Sequence, residues 1–330
     1  MAPIRVGLIG LGPKGTGEFA YSLWSAVSHL PSIQALPQYE LVAVANSTVE
    51  SAKRSIASHA LPSTVKAYGS PEDIANDPNV DLVVISVYVG KHLRLAKPAI
   101  LAKKDIIVEW PLGASLAETE ELAELAKGSG AKVGVAAQGH ASKISLKLKE
   151  LVAILHSFID VLGNFSKVQA VMKTQFPDIP IVSSTGQVVN PSYTKTSPDD
   201  IFVQGILENG ALASINFFKS ETPVTPSREL VWRITGTEGE IEFSSPEHVW
   251  QFGHPQAEIN VRIGKDGEPT KVELDPQGAV IDSLPQLAQN IALVYEAFAE
   301  GDTDKFPTFE KAAETHRLLQ RILDVSGFEA

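Results

Sequence analysis

Cysteine is absent from the 330-residue chain, which excludes disulfides, thiolate nucleophiles and cysteine-based metal sites. Long apolar runs are absent as well, so no segment is expected to cross a bilayer. The opening MAPIRVGLIG has no basic stretch leading into a long apolar core, and a cytoplasmic protein without a secretory signal is expected. Basic charge is scarce: 28 Lys and Arg stand against 39 Asp and Glu, a formal net charge of −11. A surface built to attract nucleic-acid phosphates or anionic lipid is therefore not expected, although a local basic pocket is compatible with this balance. The 8 histidines show no His-x-x-x-His or comparable cluster and the acids are dispersed, so no metal site is expected.

What is present reads as a globular protein, with 44% hydrophobic and 20% charged residues. The length exceeds that of a usual single domain, so two are expected. In the first half, short β-branched runs (IRVGLIGLG, YELVAVANS, VDLVVISVY, KDIIVEW, AKVGVAA) alternate with segments of helical spacing such as ESAKRSIASHA and LAETEELAELAKGSG. That alternation predicts βαβ units and a doubly wound parallel sheet, an α/β Rossmann domain over residues 1–140. Ser115 with Glu118 predicts a capping box, and the Gly128-Ser129-Gly130 run a helix stop. From about residue 165 the strands become longer and more polar (VQAVMKT, IFVQGILENGALASINFF, RELVWRITGT, GEIEFSS). They predict a second α/β domain over residues 141–330 with an open, mostly antiparallel sheet. Its last helix, about 307–326, is expected to pack back towards the first domain.

Directly after the first strand comes Gly10-x-Gly12-x-x-Gly15, with Pro13 and Lys14 inside the loop. A tight turn there lets a pyrophosphate approach the backbone and the positive end of the following helix, so dinucleotide binding is expected. At the end of the second strand a carboxylate would hold a ribose 2′-hydroxyl and repel a 2′-phosphate. The chain has neutral Asn46, Ser47 and Thr48 instead, which admits both NADP and NAD and slightly favours NADP.

The stretches GLGPKG, DLVVISVYVGKHLRLAKPAILAKKDIIVEWPLG and AAQGHASKISLKLKELV resemble the Gfo/Idh/MocA oxidoreductases, and especially their fungal Gal80-like branch. SPDDIFVQGILENG, TGTEGEIEF and YEAFAEGDTDKFPTFEKAAETHRLLQRI extend the resemblance over nearly the whole chain. It implies that Ser86, Tyr88, His92, Glu109, Trp110 and Gln138 line the cofactor. Typical members end the strand corresponding to KDIIVEW with Glu-Lys-Pro, the lysine being implied to assist proton transfer; here Trp110 stands in its place. Tryptophan can stack and donate one hydrogen bond, but it cannot serve as an acid or base. His156 and Asp160 resemble the family's catalytic pair, with one extra residue between them. The material before them is shortened, so that residues 142–162 are open to reading as one continuous helix. Lys143 stands where the family pattern has proline, and His140 where it has arginine. Lys143 and Lys91 are further candidate bases. The resemblance also implies a homodimer formed through the carboxy-terminal sheet. Three functions remain: an NAD(P)-dependent oxidoreductase-like enzyme acting on a small polar hydroxyl or keto compound or a secondary metabolite, which this reading ranks first; a Gal80-like cofactor-sensing regulator with a protein partner; and a non-redox isomerase, lyase or cyclase using the old cleft.

Overall fold

The computed structural model describes residues 2–14, 21–154, 163–183, 186–218, 228–247 and 253–329. It divides into two compact units, Met1–Ser142 with Pro276–His316, and Lys143–Asp275 with Arg317–Ala330.

The first unit is built on six strands: β1 (Ile4–Ile9), β2 (Tyr39–Ala45), β3 (Lys66–Tyr68), β4 (Leu82–Ile85), β5 (Asp105–Val108) and β6 (Val133–Val135). All pair in parallel, in the order β3-β2-β1-β4-β5-β6, so the doubly wound sheet expected from the alternating pattern is present. The continuous Val and Ile runs follow from burial on both faces: every residue of β4 is buried. Between the strands lie α1 (Tyr21–Trp24) and α2 (Leu30–Ala35), separated by a π turn at Ser25–His29, then α3 (Val49–Ser58), α4 (Pro71–Asn76), α5 (His92–Leu101) and α6 (Leu116–Ser129). The ends of α6 follow its sequence. Ser115 Oγ accepts the Glu118 amide at 3.2 Å, and the Glu118 carboxylate takes the Ala114 amide at 3.0 Å. Gly130 ends the helix in the left-handed region, with φ +74°.

The second unit opens with α7 (Lys143–Ile154); the continuation towards residue 162 lies outside the described residues. Its strands are β7 (Phe165–Lys173), β8 (Asp178–Val182), β9 (Val188–Thr194), β10 (Asp200–Leu207), β11 (Leu212–Phe218), β12 (Leu230–Thr235), β13 (Gly239–Ser245), β14 (Glu258–Ile263) and β15 (Thr270–Val272). Every described pairing among them is antiparallel, in three ladders: β11-β10-β7, β12-β13-β14-β15 and the hairpin β8-β9. IFVQGILENGALASINFF is the β10–β11 hairpin, and Ile144 and Leu148 of α7 join Ile241, Phe243 and Ile259 in one core.

The chain then supplies α8 (Ala279–Asp282), α9 (Gln286–Glu300) and α10 (Phe309–Ser326). Ile291, Tyr295 and Phe298 of α9 join Val6, Leu8, Val44 and Val84 in the core of the first unit. In α10, Phe309, Ala312 and Ala313 pack in the first unit, whereas Ile322 and Leu318 pack with Phe165, Val203 and Leu207 in the second. No helix among the described residues is long and apolar enough to cross a membrane.

Candidate functional site

Five parallel strands end at one level. Ala45, Ile9, Ile85, Val108 and Val135 are successive register partners across β2, β1, β4, β5 and β6. The ladder continues one residue further through the amides of Gly10, Ser86, Glu109 and Ala136, which donate to Ala45, Ile9, Ile85 and Val108 at 2.8–3.0 Å. Asn46, Gly10, Ser86, Glu109 and the residues just past Ala136 therefore stand along the carboxyl edge of the sheet. Between β1 and β4 the strand order reverses, which is where open α/β sheets form a ligand crevice.

Gly10 sets the close approach of these two strands. Its φ is +103°, and a Cβ there would lie 2.3 Å from the Ser86 carbonyl oxygen, so no other residue fits. The loop after it is held from below. The Leu11 carbonyl accepts Asn46 Nδ2 at 2.9 Å and Ser55 Oγ at 2.7 Å, Gly12 O lies 2.8 Å from His59 Nε2, and the Lys14 amide donates to Ser58 Oγ at 3.0 Å. Thus Asn46 braces the glycine loop, and Thr48 caps α3 by accepting the Ser51 amide at 3.1 Å; Ser47 is exposed. Gly15 lies outside the described residues, as do His156 and Asp160.

The next loops hold further candidates. His92 is buried, with Nε2 3.0 Å from Val87 O and Nδ1 3.0 Å from Pro111 O, so its ring ties the loop after β4 to the loop after β5. Tyr88 and Lys91 are exposed. Ser86 Oγ and Gln138 Oε1 are buried without a hydrogen-bond partner, and both stand just past carboxyl ends of the strands. Buried polar atoms are rarely left so. The narrow Gly10 turn, the braced loop and these two unmatched atoms fit a nucleotide that brings its own donors and acceptors. Lys143 opens α7 in the second unit, and His140 is exposed. Among the described residues no group of three or more His, Asp or Glu is placed to hold a metal ion.

Glu109 and Trp110 end β5, and the Trp110–Pro111 peptide is cis. Glu109 Oε1 accepts Trp24 Nε1 at 2.8 Å and meets His29 Nε2 at 2.7 Å, while Oε2 accepts the Trp110 amide at 3.2 Å. His29 is fully buried, and its Nδ1 lies 2.9 Å from the Tyr295 hydroxyl. Burial, then Tyr39 and Glu109, push that hydroxyl far above the ordinary tyrosine value. The Glu109 carboxylate, which also takes the Trp24 and Trp110 N–H groups, can only accept, so the His29 Nε2 that meets it is the donor. Trp110 is 38% exposed, and its ring meets that of His316 in a T-shaped arrangement, 5.3 Å between centroids. His316 Nδ1 is 3.4 Å from Thr119 Oγ1, its Nε2 is buried without a partner, and burial lowers its pKa. Sequence reasoning missed Trp24, His29, Tyr295 and His316.

Comparison with known proteins bears on this geometry. Residues 4–137 match the Gfo/Idh/MocA oxidoreductase family, NAD-binding Rossmann fold, and residues 135–245 match the Gal80p C-terminal domain. The dehydrogenase aclE of Aspergillus oryzae is 24% identical over 97% of this chain and 95% of its own length. The galactose/lactose metabolism regulatory protein GAL80 of Kluyveromyces lactis is 27% identical over 73% of this chain, which spans 63% of that protein. The crystal structure of a super-repressor mutant of Gal80p from Saccharomyces cerevisiae superposes with a TM-score of 0.83 at 20% identity, covering 99% of this chain and 96% of that one. Residues 4–137 are thus similar to a Gfo/Idh/MocA Rossmann fold and residues 135–245 to the Gal80p carboxy-terminal domain.

Proposed function

We propose that this chain, a Gfo/Idh/MocA Rossmann fold with a Gal80p-type second domain, binds a nicotinamide dinucleotide in the Gly10–Ser86 crevice and works as a cofactor-sensing regulator. The observation that carries this reading is the end of β5. Trp110 has no titratable group, and the neighbouring Glu109 carboxylate is already engaged by Trp24, His29 and the Trp110 amide. A hydride transfer from a hydroxyl compound needs a base to take the hydroxyl proton, and neither side chain is suited to that task. When bound, the dinucleotide would supply hydride chemistry; Gly10 and Gly12 would admit its phosphates, Ser86 and Gln138 would meet its polar groups, and Trp110 would wall its nicotinamide end.

NADP is favoured over NAD, because no carboxylate follows β2 and Ser47 is exposed beside the braced Asn46. The regulator would act as a homodimer through the outer face of β11-β10-β7. Val171, Phe202, Leu212 and Phe218 are exposed there, and Val171 pairs with Phe202 across the ladder. A sensor also needs a protein partner.

The sequence alone ranks an oxidoreductase-like enzyme first; the Gal80p-type second domain and the engaged Glu109 move the regulator ahead. The end-to-end likeness to a dehydrogenase keeps the enzyme as the second reading, with Lys143, Lys91, His156 and Asp160 as its candidate bases. The two are separated by incubating the protein with NADP⁺ and NAD⁺ and a panel of polyols and sugars while following nicotinamide absorbance. Cofactor binding without turnover supports the regulator; sustained turnover on any member of the panel overturns it.

A further inference from the structure

We infer that Trp24 and His29 are positioning residues for Trp110, set by the π turn and acting through Glu109; the inference rests on the dinucleotide reading only for its effect on affinity. Trp24 and His29 are five residues apart. In an α-helix of 3.6 residues per turn that spacing leaves side chains roughly 140° apart, so they would not converge on one atom. The helix departs from α geometry between them. The Leu30 amide bonds to the Ser25 carbonyl, five residues back, and the wider turn brings positions five apart close to one face. Both ring nitrogens thereby reach Glu109 Oε1, at 2.8 and 2.7 Å.

The clamp is braced from behind. Tyr295 fixes the far nitrogen of His29, the Tyr295 carbonyl accepts Tyr39 Oη at 2.7 Å, and Ser28 and Ser32 are buried and bonded to Trp24 O and Ser28 O at 2.6 and 2.7 Å. With Oε1 taken from one side, the carboxylate turns Oε2 to the Trp110 amide at 3.2 Å. The Glu109–Trp110 backbone is then fixed at the strand end, and the indole, although partly exposed, stands against His316. A π turn is an awkward helix geometry that recurs where a side chain must be re-aimed, and here it gives one carboxylate oxygen two donors.

The test uses Trp24→Phe in the full-length chain. Trp24 is half-buried, and phenylalanine keeps one aromatic ring while removing the indole N–H and part of the ring system. Emission of Trp110 is taken as the difference between each protein and its Trp110→Phe counterpart. We expect Trp24→Phe to raise acrylamide quenching of the Trp110 component several-fold. NADP⁺ affinity, measured by calorimetry, should fall about fivefold, the order expected when part of a hydrogen bond to a charged group is lost. In the Trp110→Phe background the same substitution should leave affinity unchanged. An unchanged quenching constant, or an equal affinity loss in both backgrounds, overturns the inference. If the parent protein binds no dinucleotide, the cofactor reading fails and the quenching comparison alone decides whether the clamp holds Trp110.

Discussion

Gly10 and Trp110 at the sheet edge, and His316 of α10 against the Trp110 ring, each have a measurable consequence. Replacing Gly10 with Ala forces a Cβ into the Ser86 carbonyl, 2.3 Å away, at a φ of +103°. The substitution should cost about 3 kcal/mol in denaturant unfolding and abolish dinucleotide binding; a variant as stable as the parent would mean that the turn is not needed. Replacing Trp110 with Lys places a titratable group just past the end of β5, and should change the cofactor affinity or allow slow turnover on a polyol. No effect on either, with stability unchanged, would remove Trp110 from the site. His316 supplies a pH dependence. Burial holds its pKa below the unfolded value of about 6.5, so the unfolded state takes up the proton first. Its contribution to stability is therefore complete above pH about 6.5 and is lost as pH falls through that value towards the folded pKa. His316→Gln should flatten this part of the stability profile, measured by urea titration between pH 5 and about 7.5; an unchanged slope would rule out His316 as its source.

Elements differ in how much of themselves they announce in the chain. The ends of α6 depend on neighbours within four residues, so Ser115, Glu118 and Gly130 were readable; Ser115→Ala should cost about 1 kcal/mol of stability, measured by denaturant titration. The glycine turn after β1 was equally local. The π turn was not. Its donors are five apart, matching neither helix nor strand periodicity, and Glu109 lies 80 and 85 positions from His29 and Trp24. Tyr295 is further still, 266 positions from His29, on a helix that the sequence alone assigns to the second half of the chain. Asn46 illustrates a subtler limit: its place at the end of β2 pointed to the cofactor, but not to the bond from its amide nitrogen back to Leu11 that braces the glycine loop. The short strands β8, β9, β14 and β15 were also missed. β8, β9 and β15 are exposed on much of their length, and β14, whose Ile259 and Val261 are buried, depends on β13 and β15 for its register.

At the scale of the whole molecule, a doubly wound parallel sheet supports the crevice and an antiparallel second unit supplies an exposed sheet face. The parallel sheet and its crevice follow from β-branched runs and one obligatory glycine, while the residues after β5 are an indole and an occupied carboxylate. The outer face of β11-β10-β7 is the surface on which a dimer would depend. Phe202→Glu combined with Leu212→Glu should convert a dimer to a monomer in size-exclusion chromatography with light scattering, without loss of dinucleotide affinity; a parent protein that is already monomeric would contradict the dimer. The claim on which the rest stands is that the Gly10–Ser86 crevice holds a nicotinamide dinucleotide. Calorimetric titration of the purified chain with NADP⁺, NADPH, NAD⁺ and NADH tests it most directly. Saturable binding of a phosphorylated form, tighter than that of its unphosphorylated counterpart and lost in Gly10→Ala, is the expected result; no binding of any of them would contradict it.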